Sequence, residues 1–356
     1  QGHGGSAREE ADVAIKLDEK DPVPHLIIAW TLLDDEAGRK NAREHVNKAI
    51  EIEPLNIRAQ VLKADLYAKE KDFIHADEYY RKAIEIEPRC VKAKLSLAEI
   101  RFVGLNKADE SATILQNLIK EQTSFMDDGQ KEKAYRLLGT IAKKQGDLEE
   151  AFKNYLQASQ VIPTYQGYIA LGDIQLVRNK TEEAVSFYQK AVSIDSSLPE
   201  IHFKLGKGLL SDGKLTQAVA SLRKSVELDP ENPDAHFFLG DALKKNGDFE
   251  GAIKEFLISR EKDPDSVRTY CSLAESYRAI GRLDDALSSA NRAIERDRNA
   301  VEAYLTRGHI YESQGKYASA IEEYNRALKI EPNSHEIYFN LGNVHVKRKD
   351  YNSSIE

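Results

Sequence analysis

Two groups of residues have types and spacings that could do chemistry. In KEKAYRLLGTIAKK, residues 131–144, Lys133, Arg136, Lys143 and Lys144 concentrate positive charge, and Lys92 and Arg101 add to it from upstream. Such a cluster could hold an acidic peptide or a terminal carboxylate through charge-assisted hydrogen bonds. The alternative is a solvated helix face, because Lys is spread along the whole chain. The second group is aromatic. Phe203 and Phe237 stand 34 residues apart, with Lys207 four beyond the first and Asp241 four beyond the second. Aromatic anchors of this kind carry much of the energy of an interface. The alternative is that both rings pack between neighbouring structural units.

Catalysis needs convergent polar groups on a rigid frame. The sequence holds no glycine-rich phosphate loop, no Gly-x-Ser-x-Gly elbow and no zinc-type cysteine pairs. His202 and His236 are also 34 apart, but as a metal pair they lack further ligands, so packing is the expectation. No cofactor and no enzyme activity are expected within these residues. Cys90 and Cys271 are too few for a disulfide framework and point to a reducing compartment, hence the cytoplasm. A net charge of −8 argues against a nucleic-acid binder, which usually shows a basic domain. The chain is 41% hydrophobic, yet no apolar run approaches the length that spans a bilayer, so membrane insertion is not expected. Asn179 and Asn352 match a glycosylation pattern that is common by chance.

The elements that must position these groups are written repeatedly. A small residue recurs at Ala64, Ala98, Gly139, Gly172, Gly206, Gly240, Ala274, Gly308 and Gly342, with Trp30 in the first place of the series. Every step from Trp30 is 33 or 34 residues except one of 41, between Ala98 and Gly139. Twelve residues after most markers comes Ala, and twenty-four after comes Pro in six of nine units. Apolar residues recur at helical spacing in both halves of each unit, as at Tyr270, Leu273, Ala274 and Tyr277, then Leu283, Ala286, Leu287, Ala290 and Ile294. Gly281 breaks the chain between the two stripes. All ten prolines sit at inferred unit boundaries or in the N-terminal lead-in, and none is expected inside a helix. Each unit is therefore expected to be a helix-turn-helix.

The period and the Leu-Gly, Tyr, Ala, aromatic, Ala, Pro order resemble the tetratricopeptide repeat family over nearly the whole chain. The resemblance implies an all-α, right-handed superhelical solenoid of about ten 34-residue repeats. It also implies first helices on the concave face, second helices on the convex face, and a groove for partner segments. It places two columns of residues in that groove. One runs Ile27, Val61, Leu95, Arg136, Ile169, Phe203, Phe237, Cys271, Leu305 and Phe339. The other runs Thr31, Asp65, Glu99, Thr140, Asp173, Lys207, Asp241, Glu275, His309 and Asn343. The family's carboxylate clamp for chaperone tails does not map, since the first column has no Lys and the second has Asn only at Asn343. The asparagine ladder of its sugar-transferring members fails as well, with Phe238 among the residues in that column.

The long step departs from the pattern. Glu110 stands where the packing Ala is expected and Gln122 where Pro is expected. The extra length is assigned near residues 121–132, as a longer second helix or loop, or as a hinge or docking loop bearing Phe125 and Met126. Residues 1–6 are read as an expression scar, 7–22 as a lead-in helix, and 23–356 as the repeat array with a truncated last unit. The expected function is a protein–protein interaction scaffold. Its partner is a protein or peptide, with an acidic segment as one option, held in the groove by Lys133, Arg136, Lys143, Lys144, Phe203, Lys207, Phe237 and Asp241. Self-association through the last repeat is a further expectation. The alternatives are a substrate-recruiting or regulatory arm of a larger enzyme, and a subunit of a stable assembly of the transport, ciliary or secretion type.

Overall fold

The structure, a computed structural model, describes residues 3–348. Every regular element among them is helical. A lead-in helix α1 (His3–Leu17) precedes a series of pairs. In order these are α2 (Pro22–Leu32) with α3 (Arg39–Ile52), α4 (Ile57–Lys69) with α5 (Phe73–Ile86), α6 (Val91–Val103) with α7 (Ala108–Gln122), and α8 (Asp128–Gln145) with α9 (Leu148–Val161). Helices α10 (Tyr165–Val177) and α11 (Thr181–Ile194) follow. Then come α12 (Pro199–Ser211) with α13 (Leu215–Leu228), α14 (Pro233–Lys245) with α15 (Phe249–Lys262), α16 (Val267–Ala279) with α17 (Leu283–Arg296), and α18 (Val301–Ser313) with α19 (Tyr317–Ile330). Helix α20 (His335–Lys347) closes the described chain. The described residues form two compact units, divided between Leu171 and Gly172.

Local chemistry sets the helix ends. Asp21, Asn56 and Asn232 cap α2, α4 and α14, their side chains accepting from backbone N–H groups of the first turn. Pro22, Pro199 and Pro233 occupy the first positions of α2, α12 and α14, and Pro24 lies within the first turn of α2. This corrects the expectation that no proline lies within a helix. The first-turn N–H groups have no intrahelical partner, so a residue lacking one costs nothing there. Gly281 turns the chain between α16 and α17 at φ 78°. Lys71 and Asn179 take the same left-handed conformation in equivalent turns.

The recurring small residue marks where two helices of a pair touch. A Cβ added to Gly240 would stand 2.7 Å from the Phe256 ring, and one on Gly206 would stand 2.5 Å from Leu222. The residue sixteen further on fills the space, with Tyr80, Tyr155, Tyr188, Leu222, Phe256 and Tyr324 all buried. Where the marker is Ala274, its counterpart shrinks to Ala290, and both are fully buried.

Two units shift the sequence register. In the first, Ala29 is fully buried and Trp30 is 68% exposed. The N-cap Asp21 stands eight before Ala29, as Asn56 stands eight before Ala64. Ala29, not Trp30, is therefore the packing residue, because no pair can enclose an indole where backbones approach. In the third, the turn after α6 gains one residue, with Asn106 at φ 54°. The place of the packing Ala falls to Ser111, fully buried and donating to the Ala98 carbonyl at 2.6 Å, and not to Glu110. The rest of the long step lies in a 3-10 turn (Thr123–Phe125) and in an extended start of α8, which has 18 residues against 13 for α6. Asp127 and Gln130 form a capping box there. Met126 is buried in the core beside Leu118 and Ala134, whereas Phe125 stays exposed beneath Arg89.

Candidate functional site

The aromatic surface of the second unit is built on three consecutive first helices, α12, α14 and α16. Phe203 on α12 meets Phe238 on α14 edge-on, with ring centroids 5.5 Å apart. Phe238 meets its neighbour Phe237 at 5.4 Å, again edge-on. Phe237 leans on the buried Phe256 at 5.6 Å. All three rings are half-buried, so the core holds their inner edges and leaves the outer ones to solvent. Two cations lie over them. The Lys207 ammonium is 4.5 Å from the Phe238 centroid and 5.2 Å from that of Phe203. The Arg268 guanidinium is 4.4 Å from the Phe237 centroid and is also paired with Asp234. Lys207 has no ion pair among the described residues. Phe203, Phe237 and Lys207 are brought together as expected. Phe238 and Arg268 were missed. The Phe-Phe doublet was a usable signal for Phe238, whereas Arg268 reaches the cluster only through stacking of successive units.

Asp241, four residues beyond Phe237, faces elsewhere. It pairs with Lys245 at 3.0 Å and Lys244 at 3.8 Å, and Lys244 in turn holds Glu275 at 2.7 Å. The basic stretch on α8 is also occupied. Lys133 is bound to Glu99 at 2.7 Å, Arg136 to the buried Glu132 at 2.8 Å, and Lys144 donates to Asn106 at 2.9 Å. Lys143 is exposed. Upstream, Lys92 is bound to Asp65, and Arg101 lies between Asp77 and Glu110. Sequence proximity suggested one free patch, but each of these cations except Lys143 already has a partner.

The two expected groove columns divide. Val61, Leu95, Ile169, Cys271 and Leu305 of the first column are core residues, and Ile27 and Phe339 are exposed. In the second column, Tyr80 donates to Asp65 at 2.5 Å and Tyr188 to Asp173 at 2.8 Å, while the Tyr155 and Thr140 hydroxyls lie 3.0 Å apart. Burial and the adjacent Asp173 push the Tyr188 phenol well above its ordinary value, so it remains a donor. His202 and His236 hold the boundary carbonyls of Ser196 and Pro230, a packing role. No group of three or more potential metal ligands occurs among the described residues. No described helix is long and apolar enough to cross a membrane. On α20, Tyr338, Phe339 and Val346 are exposed, while residues 349–356, and with them Asn352, lie outside the described residues.

Six segments match tetratricopeptide profiles: residues 57–90, 132–165 and 267–299 one, and 172–210, 208–247 and 308–348 another. The chain belongs to the tetratricopeptide repeat family. Among solved structures, it is similar to the C-terminal part of a TPR repeat-containing protein from Cytophaga hutchinsonii. The TM-score is 0.55 at 16% identity, over 69% of this chain and 99% of that one. It is also similar to MamA, with 26% identity, a TM-score of 0.44 and 47% and 92% of the two chains covered. YrrB, described as a TPR protein with an unusual peptide-binding site, gives 22% identity, a TM-score of 0.45 and 55% and 97% coverage. The first of these likenesses supports the tetratricopeptide fold and nothing finer. No curated protein matches the chain.

Proposed function

We propose that this tetratricopeptide chain is a protein–protein interaction scaffold. A partner segment, extended or helical, lies against Phe203, Phe237 and Phe238, and a carboxylate on that segment meets Lys207. The observation that carries this reading is the triad of rings held half out of the core on two rigid helices, α12 and α14, with an unpaired ammonium above it. Rings fixed from beneath lose little freedom on binding, so less of the burial energy is offset by side-chain ordering. Lys207 would exchange its ring contacts for a charge-assisted bond in a partly dry site. Any acidic portion of the partner is assigned to Lys207 and not to α8, whose cations are mostly engaged.

Capture from the source lysate tests this. Wild type, Phe203→Ala/Phe237→Ala, Lys207→Glu and Arg136→Glu would be compared after matching far-UV circular dichroism. Truncating a central aromatic anchor typically costs about 2 kcal/mol or more, some thirtyfold in affinity. A partner retained by Arg136→Glu but lost from the other two supports the assignment. A partner held equally by all four places the working surface elsewhere.

A further inference from the structure

The first unit carries a separate surface, and it begins at the register shift. With Ala29 as the packing residue, Trp30 occupies the place one beyond the marker. In the next two repeats that place holds Asp65 and Glu99. Each of those carboxylates binds a cation six before the following marker, Lys92 to Asp65 at 2.9 Å and Lys133 to Glu99 at 2.7 Å. Arg58 stands six before Ala64 and continues this column of cations. Its carboxylate should come from the place that Trp30 holds. Arg58 is exposed and has no ion pair among the described residues.

Trp30 and Arg58 line one groove of about 700 Å³, whose apolar walls include Val23, Leu26, Ile27 and Leu55. Val23, Ile27, Trp30 and Leu55 are all exposed, a concentration of large apolar side chains that a soluble surface normally avoids. Glu53, Glu87 and Lys92 also border the groove; Lys92 is already paired with Asp65, so the two glutamates would repel an acidic run.

We propose that a partner protein supplies the absent carboxylate. An apolar segment bearing one Asp or Glu docks here, its apolar side chains on Trp30, Ile27 and Val23, its carboxylate on the Arg58 guanidinium. The fork of Arg58 suits a carboxylate, and exclusion of water by the indole strengthens the pair. The partner adds a rung below the two that the chain itself builds at Asp65–Lys92 and Glu99–Lys133. This shares with the reading above the premise that the ligand is a protein segment, but it uses a different surface.

The test selects a displayed random-peptide library on the full chain and titrates the enriched peptides, labelled for anisotropy. The expected peptides carry apolar residues around a single Asp or Glu. Replacing that residue by its amide, or Arg58 by Ala, should each weaken binding about tenfold or more, as for one charged hydrogen bond, and the two changes together should cost little beyond either alone. Trp30→Asp restores the internal ladder and should abolish binding with helicity unchanged, since Trp30 is exposed. Phe237→Ala should leave this binding intact. The emission of Trp30, the chain's one tryptophan, should shift to the blue on saturation. Peptides without a carboxylate, peptides indifferent to Arg58 and Trp30, or no enriched peptide at all would overturn the proposal. So would a dimer in sedimentation that Trp30→Asp dissolves, because a second copy would then be the occupant. Peptides lost in Phe237→Ala but kept in Trp30→Asp would overturn it while supporting the surface on α12, α14 and α16.

Discussion

Gly240→Ala sets two effects against each other in one helix pair. In an exposed helix interior the change would gain about 1 kcal/mol, because Ala loses less chain entropy than Gly. Here the new methyl would stand 2.7, 2.8 and 3.0 Å from Cε1, Cδ1 and Cζ of Phe256. That ring is fully buried and cannot swing into solvent. Overpacking a filled core costs about 1–3 kcal/mol, so the net result should lie between neutral and about 2 kcal/mol destabilising. Phe256→Ala alone leaves a cavity and costs about 3–5 kcal/mol. In the double variant the methyl meets no ring, and the pair comes to resemble Ala274 with Ala290. The double should therefore be more stable than the sum of the singles by about 1–3 kcal/mol. Repeat arrays need not unfold in one step, so amide exchange of α14 and α15 is a better reading than one melting curve. Phe256 also supports Phe237, and Gly240→Ala should weaken binding at the aromatic surface. Higher protection in Gly240→Ala, or strict additivity in the cycle, would refute the close-contact reasoning.

The other expectations concern register and pH. Ser111→Leu should destabilise the α6–α7 pair by about 1–3 kcal/mol or more through overpacking, whereas Glu110→Ala should cost about 1 kcal/mol or less, as for a surface ion pair; urea melts with equal costs would show that the register is misread. His25 and His45 lie Nδ1 to Nδ1 at 2.8 Å, and burial, then neighbouring charge including Lys48, lowers both below the ordinary histidine value. The unfolded chain takes up protons there first, so protection of α2 and α3 should fall as pH drops below about 6.5. His236 is held above its ordinary value, chiefly by its hydrogen bond to Glu255, so its contribution to α14 and α15 is present below about pH 6.5 and lost as pH rises through the raised value. Exchange measured across this range that moved both regions in one direction would contradict the assignment.

The helix pairs were legible because one period repeats and each signal has a steric cause. A Gly or Ala at a helix contact, an Ala twelve residues on and a Pro twenty-four on read the same way in most units. The register failed at Trp30 and Glu110 because counting assumes turns of constant length. Asn106 adds a residue to one turn, and the link between α2 and α3 differs from the others, so only burial shows which side chain faces the partner helix. The aromatic site was half legible. Phe203 and Phe237 were found by spacing, and Lys207 by proximity, but Arg268 lies 31 residues beyond Phe237 and reaches it only across stacked helices. The basic stretch was misleading for the converse reason. Glu132, the partner of Arg136, lies within the stretch, but the Glu99 carboxylate and the neutral Asn106 side chain come from a preceding repeat and are invisible to a reading of residues 131–144 alone.

The last point bears on where such a chain can bind. A repeat satisfies most of its first-helix polar groups with its neighbours, through tyrosine hydroxyls on Asp65 and Asp173 and lysines on Asp65 and Glu99. A residue so engaged must give up an existing bond to take a ligand, and the exchange is close to neutral. Net affinity then has to come from positions where the column is broken. Both candidate surfaces have that character. At Phe256 the facing residue lacks a hydroxyl, Asp241 turns to Lys244 and Lys245, and the phenylalanine triad stands beside it. At Trp30 the carboxylate is missing, and Arg58 is left unmatched. On the two proposals above, regular positions hold the fold and selectivity would come from the irregular ones, which the binding tests at Phe237, Lys207, Trp30 and Arg58 decide.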